Sequence, residues 1–278
     1  MSKCRNISAI LFIIGLTISI WAFFAEPNSF RIREQTITID SWPEACNNKK
    51  VAILADLHVG SPYKGVDSLR WLVDEVNASL PDLILLPGDF VIQGVAGGSF
   101  VSPEEVAEIL EELKAPMGVF AVLGNHDWWL DAKRIEKAFA DRGITVLEDR
   151  SAKLNSGACK LRLVGLSDFW EGPHDIAQAM DGIDTAESIL AFTHNPDIFP
   201  ELPKQISLTI AGHTHGGQVY LPFIGRPIVP SRYGQRYAIG HIEEGGKNLY
   251  VSPGVGTSIL PVRFLVPPEV TLLSISSN

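Results

Sequence analysis

Cysteine is scarce in this chain: three residues, Cys4, Cys46 and Cys159, among 278. They stand far apart, with no CxxC or other paired spacing, which excludes a thiolate zinc site and a disulfide-dense scaffold. Read from sequence alone they are unpaired thiols, a usage that hints at a reducing environment. Basic residues are also in short supply, 23 Lys and Arg against 32 Asp and Glu, for a net charge of −9. A broad nucleic-acid footprint needs a basic face, so nucleic acid is not an expected partner. No repeat of fixed period and no low-complexity tract occurs, which excludes a repeat array. What is left, at 46% hydrophobic and 20% charged, is ordinary globular composition apart from one end.

At that end charge is missing altogether. Ile7 to Ala25, ISAILFIIGLTISIWAFFA, is 19 residues without an ionisable side chain. As a helix it would cover roughly 28 Å, close to the bilayer core of about 30 Å. Lys3 and Arg5 precede it, and Trp21 sits near the far end, where interfacial aromatics collect. A cleavable signal peptide is the rival reading. Against it, the run exceeds a usual signal core, and Ala22-Phe-Phe-Ala25 lacks the small-x-small cleavage pattern. The expectation is an uncleaved single-pass anchor over residues 1–25, followed by one domain over 26–278. Arg31 and Arg33 offset Lys3 and Arg5, so the orientation stays open.

Beyond the anchor, short apolar runs end in polar clusters. Val51-Ala-Ile-Leu-Ala leads to Asp56-Leu-His58, and Leu83-Ile-Leu-Leu-Pro-Gly leads to Asp89. Val119-Phe-Ala-Val-Leu-Gly leads to Asn125-His126-Asp127, Ile189-Leu-Ala-Phe-Thr leads to His194, and Leu208-Thr-Ile-Ala-Gly leads to His213-Thr-His215. Strand alternation would point Asp56 with His58, and His213 with His215, toward one face. Between these runs, Leu69 to Val76 has helical spacing, Ser102-Pro-Glu-Glu reads as a capped helix start, and Asp131 as a cap for a helix through Ala140. Ligands gather at the carboxyl ends of strands joined by helical crossovers. Imidazoles with carboxylates there suit transition-metal ligation. Taken singly, Asp89 could cap a turn and His194 could be a core histidine; taken together, the five clusters point to one site.

The series D-x-H, G-D, G-N-H-D, H, G-H-x-H, in that order over residues about 50 to 275, resembles the calcineurin-like metallophosphoesterases. The resemblance implies an α/β fold, a four-layer αββα sandwich of two mixed sheets, here preceded by the transmembrane helix. It implies two divalent metal ions, Mn first, with Fe, Zn or Co also suited. Asp56, His58 and His215 would hold one ion, Asn125, His194 and His213 the other, and Asp89 would bridge them. His126, oriented by Asp127, would protonate the leaving oxygen while a metal-bound hydroxide attacks a phosphodiester or pyrophosphate. Where many members continue G-D-x-x-D, this chain has Asp89-Phe-Val-Ile; that second aspartate is not a ligand in the family.

The tail, with Gly212 to Pro227, Ser231 to Gly234 and Val251 to Ser258, resembles membrane-associated bacterial phosphodiesterases. Some of these cleave the pyrophosphate of UDP-2,3-diacylglucosamine in lipid A synthesis. The implied location is the bacterial inner membrane, and the implied partners are that membrane and a phosphate-containing, lipid-linked substrate. Many of those relatives differ at Pro253, so phosphate contacts are not carried over to that loop. Trp128-Trp-Leu and Leu221-Pro-Phe-Ile are candidates for lipid contact or ordinary loop aromatics; Arg232, Arg236 and Arg263 for phosphate contact or, by default, solvated surface. His174 and His241 fit no motif and are read as structural. A non-catalytic scaffold of the same fold is the contrasting reading; scaffolds lose ligands or the His of Asn-His-Asp, and here all stand.

Overall fold

The computed structural model describes residues 2–278, with side chains from Asn6 onward; those of Lys3, Cys4 and Arg5 lie outside the described residues. The first six strands are β1 (Arg31–Thr38), β2 (Lys49–Ile53), β3 (Leu83–Pro87), β4 (Val119–Val122), β5 (Thr145–Val146) and β6 (Arg150–Ser156). The next six are β7 (Cys159–Leu166), β8 (Ile189–Thr193), β9 (Ile206–Ala211), β10 (Gly240–Glu244), β11 (Lys247–Val251) and β12 (Glu269–Ser276). The helices are α1 (Ser2–Ile20), α2 (Val66–Ala78), α3 (Pro103–Leu110), α4 (Asn125–Ala140) and α5 (Ile176–Ala179).

Two six-stranded mixed sheets result, in the orders β1-β12-β2-β3-β4-β5 and β10-β11-β9-β8-β7-β6. The central strands β2, β3 and β4 run parallel, as do β7, β8, β9 and β11. All five residues of β3 and all six of β9 are buried. Strands covered on both faces read as continuous apolar runs, which is why β3 shows no alternation in sequence, whereas β9 buries Ser207 and Thr209 between its apolar residues. The sheets face each other through Ile53, Leu85, Val122, Leu163, Phe192 and Leu208.

The outer face of the first sheet is covered by α2, α3 and α4. Leu69, Leu72, Val73 and Val76 of α2 form the buried stripe expected of helical spacing, and each contributes about 1.5–3 kcal/mol by leaving water. Ser102 caps α3 by accepting from the Glu105 amide (3.3 Å), with Pro103 at its first turn. The fourth layer, over the second sheet, is thin: the four residues of α5 and short 3-10 turns, with Ile198, Phe199, Leu202 and Tyr237 closing the core there.

The cysteine expectation is corrected. Cys46 and Cys159, both fully buried, form a disulfide between residues 113 apart in sequence. Cys46 ends a 3-10 turn before β2 of the first sheet, and Cys159 opens β7 of the second. Only the stacking of the sheets brings them together, so no local spacing announces the pair. A loop of this length gives a stabilisation of about 2–5 kcal/mol. Cys46→Ser with Cys159→Ser is expected to lose that amount in urea unfolding, and reduction of the wild type should match it; midpoints unchanged from the oxidised wild type would refute the staple.

α1 continues as a π-helical turn, Trp21–Ala25. The stretch Asn6–Ala25 has mean hydropathy 2.4 and is almost wholly exposed, a helix long and apolar enough to cross a membrane by length and composition. Its end is tied to the body. Buried Glu26 accepts from the Val266 amide (2.6 Å) and from Trp21 Nε1 (2.7 Å), and the Ala22 carbonyl accepts from the Arg263 amide (2.9 Å).

Candidate metal centre

The polar clusters sit just past the strands and not on them: β2 stops at Ile53, β3 at Pro87 and β9 at Ala211. Asp56, His58, Asp89, His213 and His215 have φ of 52°, 42°, 57°, 69° and 51°. Strand alternation is therefore not what aims these side chains; a series of left-handed turns does. Each such residue costs about 1–2 kcal/mol when it is not glycine, and strain of this kind persists where the surroundings dictate it. Asn125, His126 and Asp127 instead occupy the first turn of α4, whose N-terminus carries positive dipole charge toward the site. α4 breaks at Asp131, which caps the second half by accepting from the Arg134 amide (3.0 Å), as its sequence position suggested.

All seven proposed ligands converge. His58 Nε2 faces His215 Nε2 at 3.2 Å and Asp89 Oδ2 at 3.4 Å. His194 Nε2 lies 3.3 Å from the same Asp89 oxygen, 3.2 Å from Asn125 Oδ1 and 3.1 Å from His213 Nδ1. Asp56 Oδ1 is 3.8 Å from His215 Nε2. Asp56, His58 and His215 form one group whose donor atoms lie within 4.8 Å of one another, and Asp89, His194 and His213 form another. Asp89 also closes a third with His58 and His126, so its carboxylate stands between the halves.

The protonation states fit cation binding. Burial drives the pKa of His58 and His213 down to about 3 and that of His215 well below its usual value, leaving neutral imidazoles. Burial raises Asp56 to about 7. Burial acts the same way on Asp89, but the positive His194 beside it holds the carboxyl well below its ordinary range. His194 is the exception among the histidines: burial opposes its charge, yet Asp89 raises its pKa well above the usual value. Its Nδ1 donates to the Pro87 carbonyl (2.7 Å), so the proton at Nε2 is the one a cation would displace. His215 Nδ1 and His126 Nδ1 have no hydrogen-bond partner among the described residues. A buried set of nitrogens and carboxylates, without cysteine, fits a pair of divalent transition-metal ions.

His126 packs edge-on against His58 (4.8 Å) and beside Trp129 (4.8 Å), and its amide donates to Asp89 Oδ1 (2.9 Å). Asp127 does not hold its ring. The Asp127 carboxylate instead accepts from the amides of Asp89 (2.8 Å), Phe90 (3.0 Å), Val91 (3.3 Å) and Gly124 (2.9 Å). It fixes the turn that presents Asp89, and a carboxylate at the third helical position is there a capping group.

Arg263 departs most from expectation. It is fully buried, and its guanidinium donates to the carbonyls of Pro253, Gly254, Gly256 and Val266. Burial lowers its pKa to about 10, so it remains a cation at neutral pH. The loop it gathers lies against the site: a Cβ on Gly254 would fall 2.7 Å from Asp56 Cβ, and one on Gly256 2.6 Å from His58 Cβ. Arg232 and Arg236 are surface residues paired with Asp197 and Glu244. His174 and His241 stay outside the site, bonded to Gly172 and Asn248.

A cleft of about 620 Å³ opens over the centre, with Asp89, Asn125, His126, His213 and His215 at its floor. Trp129 and Trp170 flank it, the latter edge-on to His213 at 4.3 Å, while Trp128 packs against the first core. The sequence placed Trp170 in an aromatic loop but gave no reason to bring it here. Ile228, Ile259, Leu260 and Val262 form an apolar wall.

The model for the calcineurin-like phosphoesterases matches residues 49–217, a span holding every residue named as a ligand. Among curated proteins, the chain is 29% identical over 261 residues to the uncharacterized metallophosphoesterase YkuE of Bacillus subtilis, covering 93% of this chain and 90% of that one. It is 31% identical over 233 residues to the phosphodiesterase YaeI of Escherichia coli (81% and 82% covered). It is 27% identical over 286 residues to a zebrafish (Danio rerio) "transmembrane protein with metallophosphoesterase domain" (95% and 60% covered). Two mixed sheets, a buried cluster of histidines and carboxylates at their strand ends, and a family match across that cluster make this chain a calcineurin-like phosphoesterase, a metal-dependent hydrolase of phosphoesters.

Proposed function

We propose a membrane-anchored phosphohydrolase that cleaves a phosphodiester or pyrophosphate at a two-metal centre, with His126 as proton donor. The observation that carries this reading is the convergence of seven donors, four of them (Asp89, Asn125, His213 and His215) at the floor of a cleft that His126 also lines. When bound, the metal pair supplies Lewis-acid charge toward phosphoryl oxygens and acidifies water. Asp56, His58 and His215 would hold one ion, Asn125, His194 and His213 the other, with Asp89 between them. His126 gives its proton to the leaving oxygen; burial lowers its pKa, which makes the imidazolium a stronger acid but leaves less of it protonated at neutral pH. Asp127 keeps the Asp89 turn in place. Manganese is the metal of first choice, and Fe, Zn and Co suit the same donors.

The helix Asn6–Ala25 supplies the single-pass anchor, in keeping with the transmembrane name of the zebrafish relative. The location proposed is the bacterial inner membrane. The Cys46–Cys159 bridge favours a catalytic domain on the oxidising face, where such bonds persist. The apolar wall formed by Ile228, Ile259 and Leu260 favours a narrower second reading, a pyrophosphatase for a nucleotide-sugar lipid such as UDP-2,3-diacylglucosamine. Purified full-length protein with Mn²⁺ is expected to hydrolyse nitrophenyl phosphodiesters, or the pyrophosphate, faster than monoesters. Preference for a monoester, or activity that survives chelation and dialysis, would sink the proposal.

A further inference from the structure

The last apolar turn of the N-terminal helix does not leave the body through a free linker. Its Ala22 carbonyl accepts from the Arg263 amide at 2.9 Å. The next residue, Phe264, donates to the Gln218 carbonyl (2.9 Å) and accepts from the Tyr220 amide (2.8 Å). Tyr220 leads into a tight hairpin closed by the Leu221 amide on the Gly225 carbonyl (2.8 Å). Helix end, residues 259–266 and the hairpin thus lie side by side, fixed by backbone hydrogen bonds. If Ala22 lies in the bilayer boundary, the backbone at Arg263 lies at nearly the same depth.

These segments gather most of the strongly exposed apolar side chains outside the helix itself; Leu80 and Phe100 are exposed elsewhere. Phe223 is fully exposed at the hairpin tip, and Ile224, Ile228 and Ile259 are 70%, 78% and 74% exposed, with Leu260 and Leu265 half exposed. Exposed apolar side chains gathered on neighbouring segments in this way mark a site of interaction. Trp21 and Tyr220, both partly exposed, each adjoin these hydrogen-bonded segments, with the Arg226 guanidinium 5.2 Å over the Tyr220 ring. Aromatic and basic residues together are the composition of a headgroup boundary. Three of the exposed residues, Ile228, Ile259 and Leu260, also wall the cleft above the metal ligands.

We infer that the rim formed by Phe223, Ile224, Ile228, Ile259, Leu260 and Leu265 is a second membrane contact, which docks into the lipid boundary beside the helix and turns the mouth of the cleft onto the bilayer surface. The inference rests on the anchored reading above and deepens it. The substrate is then a phosphoester that stays in the membrane, its apolar chains passing along the Ile228–Ile259–Leu260 wall while its phosphate reaches His126. The helix alone would tether the domain in any pose; the rim selects the one pose in which such a substrate need not leave the lipid.

The test uses the full-length chain in vesicles of phosphatidylcholine and phosphatidylglycerol. In a Cys4→Ala background, with Cys46 and Cys159 held in their disulfide, a nitroxide is placed at Ile224→Cys or, for comparison, at exposed Lys153→Cys on β6. Docking requires that the label at 224 collide readily with oxygen and several-fold less often than the label at 153 with a water-soluble nickel chelate. A chelate collision rate equal to that at 153 overturns the inference. So does exclusion of both reagents, which would mean that protein covers the hairpin. Carbonate extraction of the same vesicles separates the two readings. Retained protein with a water-exposed label defeats docking alone, whereas released protein defeats the anchor and docking with it.

A second variant carries the argument to activity. Phe223→Asp with Ile224→Asp touches no residue of the cleft lining, so hydrolysis of a soluble bis-nitrophenyl phosphate should stay at the wild-type rate. Hydrolysis of a nitrophenyl phosphodiester of diacylglycerol held in the vesicles should fall about tenfold or more, since two apolar side chains no longer leave water. An unchanged ratio of the two rates would overturn the role of the rim in substrate capture.

Discussion

A chain carrying Asp89→Asn is expected to bind neither metal ion tightly and to lose nearly all turnover. One carboxylate oxygen of Asp89 lies 3.4 Å from His58 Nε2 and 3.3 Å from His194 Nε2, so it faces both halves of the centre. Asp56 is the other carboxylate among the seven proposed ligands. Removing the Asp89 charge leaves one anion in a fully buried site that is to receive two divalent cations. Breaking a buried charge pair costs about 3–5 kcal/mol, which is roughly 10²–10⁴ in affinity. Because the asparagine has almost the same shape, its oxygen can still accept from the His126 amide and the turn should survive. Metal analysis after gel filtration decides the matter: two ions per chain in the variant would remove Asp89 from its bridging role, whatever the activity.

His126→Ala should behave in the opposite way, with metal content near wild type and turnover reduced by about 10²–10⁴-fold, the usual contribution of a placed general acid. The His126 ring packs against His58 and Trp129, whereas His58 faces His215 and His194 faces His213 through their ring nitrogens. The leaving group gives the sharper criterion. A nitrophenolate departs without a proton and should suffer least, while an alkyl alkoxide should suffer most. Equal losses for both would mean that His126 positions substrate and does not protonate it. Metal loss in the variant would instead make it a ligand, a role that its distance to His58 and Asp89 also permits.

The fold was legible where a pattern belonged to one element. α2 could be read from its four buried apolar positions, and α3 from Ser102 and Pro103. β3, β8 and β9 could be read from their apolar runs. β6, Arg150–Ser156, could not, because an exposed edge strand with one fully buried residue has no apolar signature. The candidate ligands could be picked out because they follow the strands in a fixed order, but their aim could not. Positive φ at Asp56, His58, Asp89, His213 and His215 is imposed by the packed site; Asp and His adopt it more readily than most residues, but none is glycine and residue type alone does not announce it. Asp127 was assigned to the wrong neighbour for a related reason: a carboxylate after a histidine looks like its partner, and only coordinates show the four amides it holds instead. Arg263 and the cysteine pair were hidden by distance, because burial of an arginine among carbonyls and contact across 113 residues are both products of the assembled sandwich.

The close approach of Gly254 and Gly256 to the ligands bears on how substitutions here are to be interpreted. Any side chain on either residue would need the space taken by the Cβ of Asp56 or His58. The two glycines have no group that could bind metal, move a proton or touch phosphate. In a saturation screen for activity they should nonetheless fail almost every replacement, alongside Asp56 and His58 themselves. Around this centre, intolerance to change maps the volume the ligands occupy as much as the chemistry they perform, and a ranking by mutational sensitivity would count two empty positions among the working parts.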